Sequence, residues 1–123
     1  MKKKLKNSQM AVMLGQLKPI LSHRDKIGYA AARNYRIFAN SLTEYMAFRN
    51  ALIEKYGETG KDDDDQSIVQ ISVNSPKFKM FCDELEPYNN TEHEVDLMIA
   101  KYDDAINVLT GEEILSIDWM LED

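Results

Sequence analysis

One thiol (Cys82), two imidazoles (His23 and His93), four adjacent carboxylates (Asp62, Asp63, Asp64 and Asp65) and a lysine cluster (Lys2, Lys3, Lys4 and Lys6) are the residues of this chain that could do chemistry. Covalent or acid–base catalysis needs such groups beside a base or in contrasting environments. Cys82 instead follows Phe81 inside an apolar helical segment, the setting of an inert, packed thiol. His23 stands at a helix start and His93 just before a strand, and neither belongs to a ligand-spaced motif. No catalytic residue, no metal ligand and no cofactor are therefore expected.

The carboxylate run invites a calcium reading, because hard cations take carboxylate oxygens. Asp62, Asp64 and Gln66 fit the first, third and fifth positions of an EF-hand loop. Ser67 then stands where the glycine is needed and Val73 where the bidentate glutamate is needed, so a solvated loop is the better reading. The lysine cluster, extended by Arg24, Lys26, Arg33, Arg36 and Arg49, could release counterions from a phosphate backbone. The chain is acidic overall and lacks a helix-turn-helix, zinc-finger or glycine-aromatic signature, which argues against direct nucleic-acid binding.

The net charge of −6 conceals a division. Residues 1–56 hold eleven Lys/Arg against three Asp/Glu, or +8, and residues 57–123 hold four Lys against eighteen Asp/Glu, or −14. Either the halves pack together and neutralise each other, or the acidic half offers a surface to a basic partner. The residues named for such a surface are Asp83, Glu84 and Glu86, with Asp62, Asp63, Asp64 and Asp65.

A chain of 123 residues with 44% apolar and 29% charged residues suits one domain, 1–123, with one core. A single cysteine excludes an intramolecular disulfide and fits a reducing, cytoplasmic compartment. No stretch approaches the roughly 20 apolar residues of a membrane helix. Lysines at 2–6 suit an edge strand. Asn7 or Ser8 can cap a first helix, whose apolar face is Met10, Met13, Leu14 and Leu17 and which Pro19 bends or ends. A long helix is expected over 22–56, with Ser22 and Asp25 as a capping box and Ile27, Ala31, Phe38, Leu42, Tyr45, Leu52 and Tyr56 as its stripe, interrupted at Asn34 and Arg49. Unbroken, it would be about 50 Å long and would have to protrude, bend or pair with another chain.

Residues 57–66 lack an apolar side chain and read as a mobile acidic loop. Alternation over 67–74 points Val69, Ile71 and Val73 one way, and alternation over 94–100 does the same for Val95, Leu97 and Ile99, so both read as half-buried strands. Between them, Ser75-Pro76 opens a helix that Pro87 and Asn89-Asn90 end. The strand, helix and strand form a parallel crossover or an antiparallel arrangement. Thr110-Gly-Glu-Glu113 is a capping box for a last helix bearing Ile114, Ile117 and Leu121, with Trp119 near its end either closing the core or anchoring a partner. The expected fold is α+β, a long helical hairpin beside a sheet of two or three strands.

The lysine-rich start with Leu5-Lys-Asn7, the helix carrying Ala32-Arg-Asn34, Arg49-Asn-Ala-Leu-Ile-Glu-Lys-Tyr-Gly-Glu58, the acidic linker, Thr110-x-x-Glu113 and Asp118-Trp-Met-Leu-Glu122 together resemble short bacteriophage and prophage proteins of Gram-positive bacteria. The resemblance implies phage origin and a bacterial cytoplasm, and transfers no catalytic residue. The expectation is a non-enzymatic protein-binding module that inhibits a host defence or nucleic-acid-handling protein through its acidic surface. The alternative is an accessory of virion (tail) assembly, with self-association through the long helix.

Overall fold

The computed structural model describes every residue except Asp62, Asp63 and Asp65, and Lys61 through its backbone only. The fold is α+β and helix-rich, with small two-stranded sheets. The chain forms two compact units, Met1–Leu42 with Glu92–Asp123 and, separately, Thr43–Thr91.

In the first unit, strand β1 (Lys2–Lys6) pairs antiparallel with β4 (Glu92–Asp96). The register sets Lys2 opposite Asp96, Lys4 opposite Glu94 and Lys6 opposite Glu92 on the exposed face, while Leu5 and Val95 point inward. Opposite charges placed across a ladder contribute about 0.2–1 kcal/mol per pair, and a one-residue slip would turn Leu5 to solvent. The expected crossover from strand 67–74 is thereby corrected: β4 takes the lysine strand as its partner. Two further residues, Ala100–Lys101 (β5), pair in parallel with Leu121–Glu122 (β6).

Helix α1 (Asn7–Leu17) is capped at Lys6, whose N–H donates to Gln9 Oε1 at 2.9 Å, so neither Asn7 nor Ser8 is its cap. The long helix of 22–56 is corrected to two helices, α2 (Lys26–Ser41) and α3 (Thr43–Tyr56). Leu42, at φ −90°, ψ −2°, is the turn residue between them. It lies between Ser41 and Thr43, whose hydroxyls compete with the backbone for hydrogen bonds. The N-cap of α2 is Asp25 itself, one oxygen accepting from the N–H of Ile27 (3.1 Å) and of Gly28 (3.0 Å). Glycine is required at 28 because a Cβ there would strike the His23 carbonyl.

Phe38, Leu42, Ile27 and Ala31 bury the α2 stripe against Met10, Leu17, Ile20, Ile117 and Met120, all at most 1% exposed. Asn34, which the pattern marks as an interruption, is fully buried in the same stripe. Its amide donates to Met98 O (2.9 Å) and accepts from Met98 N–H (2.8 Å). It thus stands in for a missing strand partner just where the chain leaves the β1–β4 ladder.

Helix α5 (Tyr102–Ile106) follows β5, and α6 (Gly111–Ile117) opens on the expected capping box: Glu113 N–H donates to Thr110 Oγ1 (3.2 Å), Thr110 N–H to Glu113 Oε1 (2.9 Å). That donated N–H, seconded by His23 at 3.6 Å, holds the Glu113 carboxyl below its ordinary range.

In the second unit, β2 (Glu58–Lys61) and β3 (Ser67–Gln70) pair antiparallel, which corrects the loop expected over 57–66 at Glu58–Lys61, while Asp62, Asp63 and Asp65 of that expected loop lie outside the described residues. Backbone hydrogen bonds sustain such a strand without an apolar side chain. Gly57 is confined by the carbonyls of Ile53 and Gln70, where no Cβ fits. The inward face expected of strand 67–74 is also corrected: the strand ends at Gln70, Ile68 is half-buried, and Val69 and Val73 are exposed. Helix α4 (Phe78–Asn89) follows a Ser75-Pro76-Lys77 turn and carries Pro87 in its last turn. Only the Asp83 carbonyl loses its helical donor there, and Asn90 N–H still reaches Glu86 O at 3.2 Å. Tyr45, Leu52, Phe81 and Leu85 form this unit's core, and the Tyr45 hydroxyl donates to Asn89 Oδ1 at 2.5 Å. Among the described residues no helix is long and apolar enough to cross a membrane.

Replacing Asn34 by Ala orphans both Met98 backbone groups, each costing about 1–3 kcal/mol when left unsatisfied. Urea unfolding is expected to show a loss of about 2–5 kcal/mol for Asn34→Ala, and less than about 0.5 kcal/mol for the exposed neighbour Arg33→Ala. Equal midpoints would contradict the clamp.

The depressed Glu113 carboxyl contributes stability that is present above its ordinary pKa and lost as pH falls through the lower folded value. The melting temperature should therefore drop between about pH 5 and pH 3, and less steeply for Glu113→Gln, which keeps an acceptor but does not titrate. Parallel slopes for the two proteins would remove Glu113 from the acid transition.

Candidate protein-binding surfaces

The structure divides charge differently from the sequence halves. In the first unit, residues 1–42 carry nine Lys/Arg against Asp25, or +8, and residues 92–123 carry Lys101 against ten Asp/Glu, or −9, leaving −1. Three of these opposite pairs, Lys2 with Asp96, Lys4 with Glu94 and Lys6 with Glu92, face each other across the β1–β4 ladder. In Thr43–Thr91, five Lys/Arg stand against ten Asp/Glu, leaving −5 of the total −6.

Within the second unit, Asp83, Glu84 and Glu86 are all exposed on α4, but they do not share one face. At about 100° per residue, Asp83 and Glu86 lie about 60° apart, whereas Glu84 lies about 160° from Glu86. Glu84 instead faces α3, where the Tyr56 hydroxyl donates to it at 2.6 Å and Lys55 Nζ approaches at 3.4 Å. The Tyr56 hydrogen bond, aided by the Lys55 charge, holds the Glu84 carboxyl below its usual range. The outward side of α4 presents Lys79, Met80, Asp83, Glu86 and Pro87, with Met80 48% exposed. Of the carboxylate run, Asp64 is exposed, and Asp62, Asp63 and Asp65 lie outside the described residues. A polar cleft of about 320 Å³ opens nearby between Tyr56, the hairpin and Ser75-Pro76.

The first unit has two open apolar surfaces. One is a cleft of about 630 Å³ between the start of α2 (Arg24, Lys26, Tyr29, Ala30) and Met98 to Lys101. Tyr29 is 57% exposed there, and Arg33 lies 6.0 Å from its ring. The second, of about 600 Å³, lies along α1 and includes Lys3, Leu5, Val12, Met13 and Trp119. Trp119 is half-buried, packs on Phe38 at 5.7 Å and donates its indole N–H to Gln16 Oε1 (3.0 Å) and Ser116 O (3.1 Å). Met120 and Leu121 beside it are buried, so the end of the chain closes the core while Trp119 keeps one edge open. Neither surface is legible by composition. The exposed apolar residues sit at helical spacings that also serve cores, and only the folded chain shows which side is covered.

Cys82 is half-buried on α4, and His93 is half-buried in β4 opposite Leu5. His23 lies between two helix caps, 3.9 Å from Asp25 and 3.6 Å from Glu113. No three His, Cys, Asp or Glu among the described residues are grouped to hold a metal ion. No protein family, curated protein or solved structure was found to match the chain.

Proposed function

We propose that the chain is a phage-encoded, non-enzymatic protein-binding module that blocks a host protein with a basic surface, such as a defence or nucleic-acid-handling protein. The observation carrying this reading is the concentration of −5 of the net −6 in Thr43–Thr91. There the outward side of α4 sets Asp83 and Glu86 beside exposed Met80 and Pro87. Charge steers a basic partner inward from a distance, and the apolar side chains supply short-range contact. The alternative, an accessory of virion assembly, drew on one unbroken 50 Å helix. That helix ends at Ser41, so the acidic surface is the reading with an observation behind it.

The test begins with the partner captured from host cells and purified. Association rates with it are then measured at low salt and at several times physiological ionic strength, where charges beyond about 8 Å are already screened. Asp83→Lys with Glu86→Lys is expected to slow association about tenfold or more at low salt. Its melting temperature should stay near that of the parent, because lysine is a good helix former. Glu84→Lys would also break the Tyr56 and Lys55 contacts and is kept separate. A rate indifferent to salt and to the double change would overturn the proposal.

A further inference from the structure

In a chain whose residues are 29% charged, helix α1 (Asn7–Leu17) contains no charged residue, yet it lies partly open to solvent. Val12 is 63% exposed beside the groove that Met13 and Trp119 line. Helix α6 packs against α1 and carries Leu115, 74% exposed and four residues before Trp119. With the Trp119 N–H already bonded within the chain, what remains open on its ring is apolar.

The rim of this face carries charges that have no ion-pair partner among the described residues. Lys3 lies opposite Val95, unlike Lys2, Lys4 and Lys6, and it lines the groove with no carboxylate partner among the described residues. Glu112 on α6 and Asp118 just past its end bracket Leu115, both exposed and without a cationic partner among the described residues.

We infer that this face is the interface of a symmetric homodimer, its occupant a second copy of the same chain. A two-fold axis sets one patch against its own copy, so the patch must be complementary to itself. An apolar centre with a cation on one edge and anions on the other meets that condition. A uniformly acidic or basic partner would match one edge and repel the other. Gly15, three residues from Val12 on the outward side, fits the same account. A Cβ there meets nothing within 4 Å, so no described neighbour requires glycine in this last turn of α1, where it is a poor helix former. A second backbone crossing close to α1 supplies the reason.

Sedimentation of the full chain from micromolar concentration to about 1 mM is expected to show the mass rising from 14.2 kDa towards twice that value. Leu115→Glu and Gly15→Leu should each remain monomeric throughout, with circular dichroism and melting temperature at low concentration like the parent's. Lys3→Glu and Glu112→Lys should each weaken dimerisation about tenfold, and combining them should restore it. A parent chain monomeric at about 1 mM overturns the inference, as does a dimer that survives both Leu115→Glu and Gly15→Leu. Loss without rescue in the charge pair would show that Lys3 and Glu112 do not meet across the two-fold axis and would overturn the self-complementary arrangement. No partner is present in these measurements, so their outcome is independent of the acidic surface on α4.

Discussion

The pairing of Lys2–Lys6 with Glu92–Asp96 is the constraint on which the first unit depends. It joins segments about 90 residues apart, and closing so long a loop costs entropy that local contacts cannot offset. Burial of Leu5 and Val95 supplies the driving force, and the three Lys–acid positions select the register. Apolar pairing alone would tolerate neighbouring registers that preserve the inward face, such as a slip of two residues. Shifting the lysines by two would leave one of them without an acid opposite. Charge here therefore contributes more to uniqueness than to depth of stability.

Met1 still exchanges both backbone hydrogen bonds with Leu97, and beyond Leu97 the chain loses this partner and Asn34 takes over. A strand passing through a core must have its N–H and C=O satisfied, and a primary amide is the one neutral side chain that offers both a donor and an acceptor at the required spacing. Placing it on α2, between Ala31 and Phe38, ties the helix stripe to the strand by direction as well as by packing. Leucine at 34 would extend the apolar stripe and leave Met98 unpaired.

How much of this was legible follows from the kind of signal each element carries. Alternation over 94–100 marks Val95 and Leu97 as inward, and Thr110 with Glu113 marks a helix start, because both are local rules that the fold obeys. Strand β2 was not legible, since Glu58–Lys61 has no apolar side chain and is held by backbone pairing to β3. The break at Leu42 was hidden because the stripe from Phe38 to Tyr45 runs on with unbroken helical spacing and no Gly or Pro marks it. Asn34 looked like a flaw in the stripe because periodicity grades residues by hydrophobicity and cannot see the backbone they serve. Of the candidate acidic site, the residues were legible and their grouping was not. Sequence adjacency placed Glu84 with Asp83 and Glu86, while helix geometry gives it to Tyr56 and Lys55.

The two units leave different things exposed, and that difference follows from where opposite charges meet. In the first unit, +8 and −9 meet within one body, so its long-range field is weak and its open features are apolar, along α1 and around Tyr29. In Thr43–Thr91 the excess of −5 has no internal counterpart, and the largest fully buried side chains all belong to the other unit. Such an unbalanced charge repels itself, and opposite charge brought near it would relieve that repulsion. Field strength acts across many ångströms and sets how fast a partner arrives, whereas apolar contact acts at touching distance and sets how long it stays.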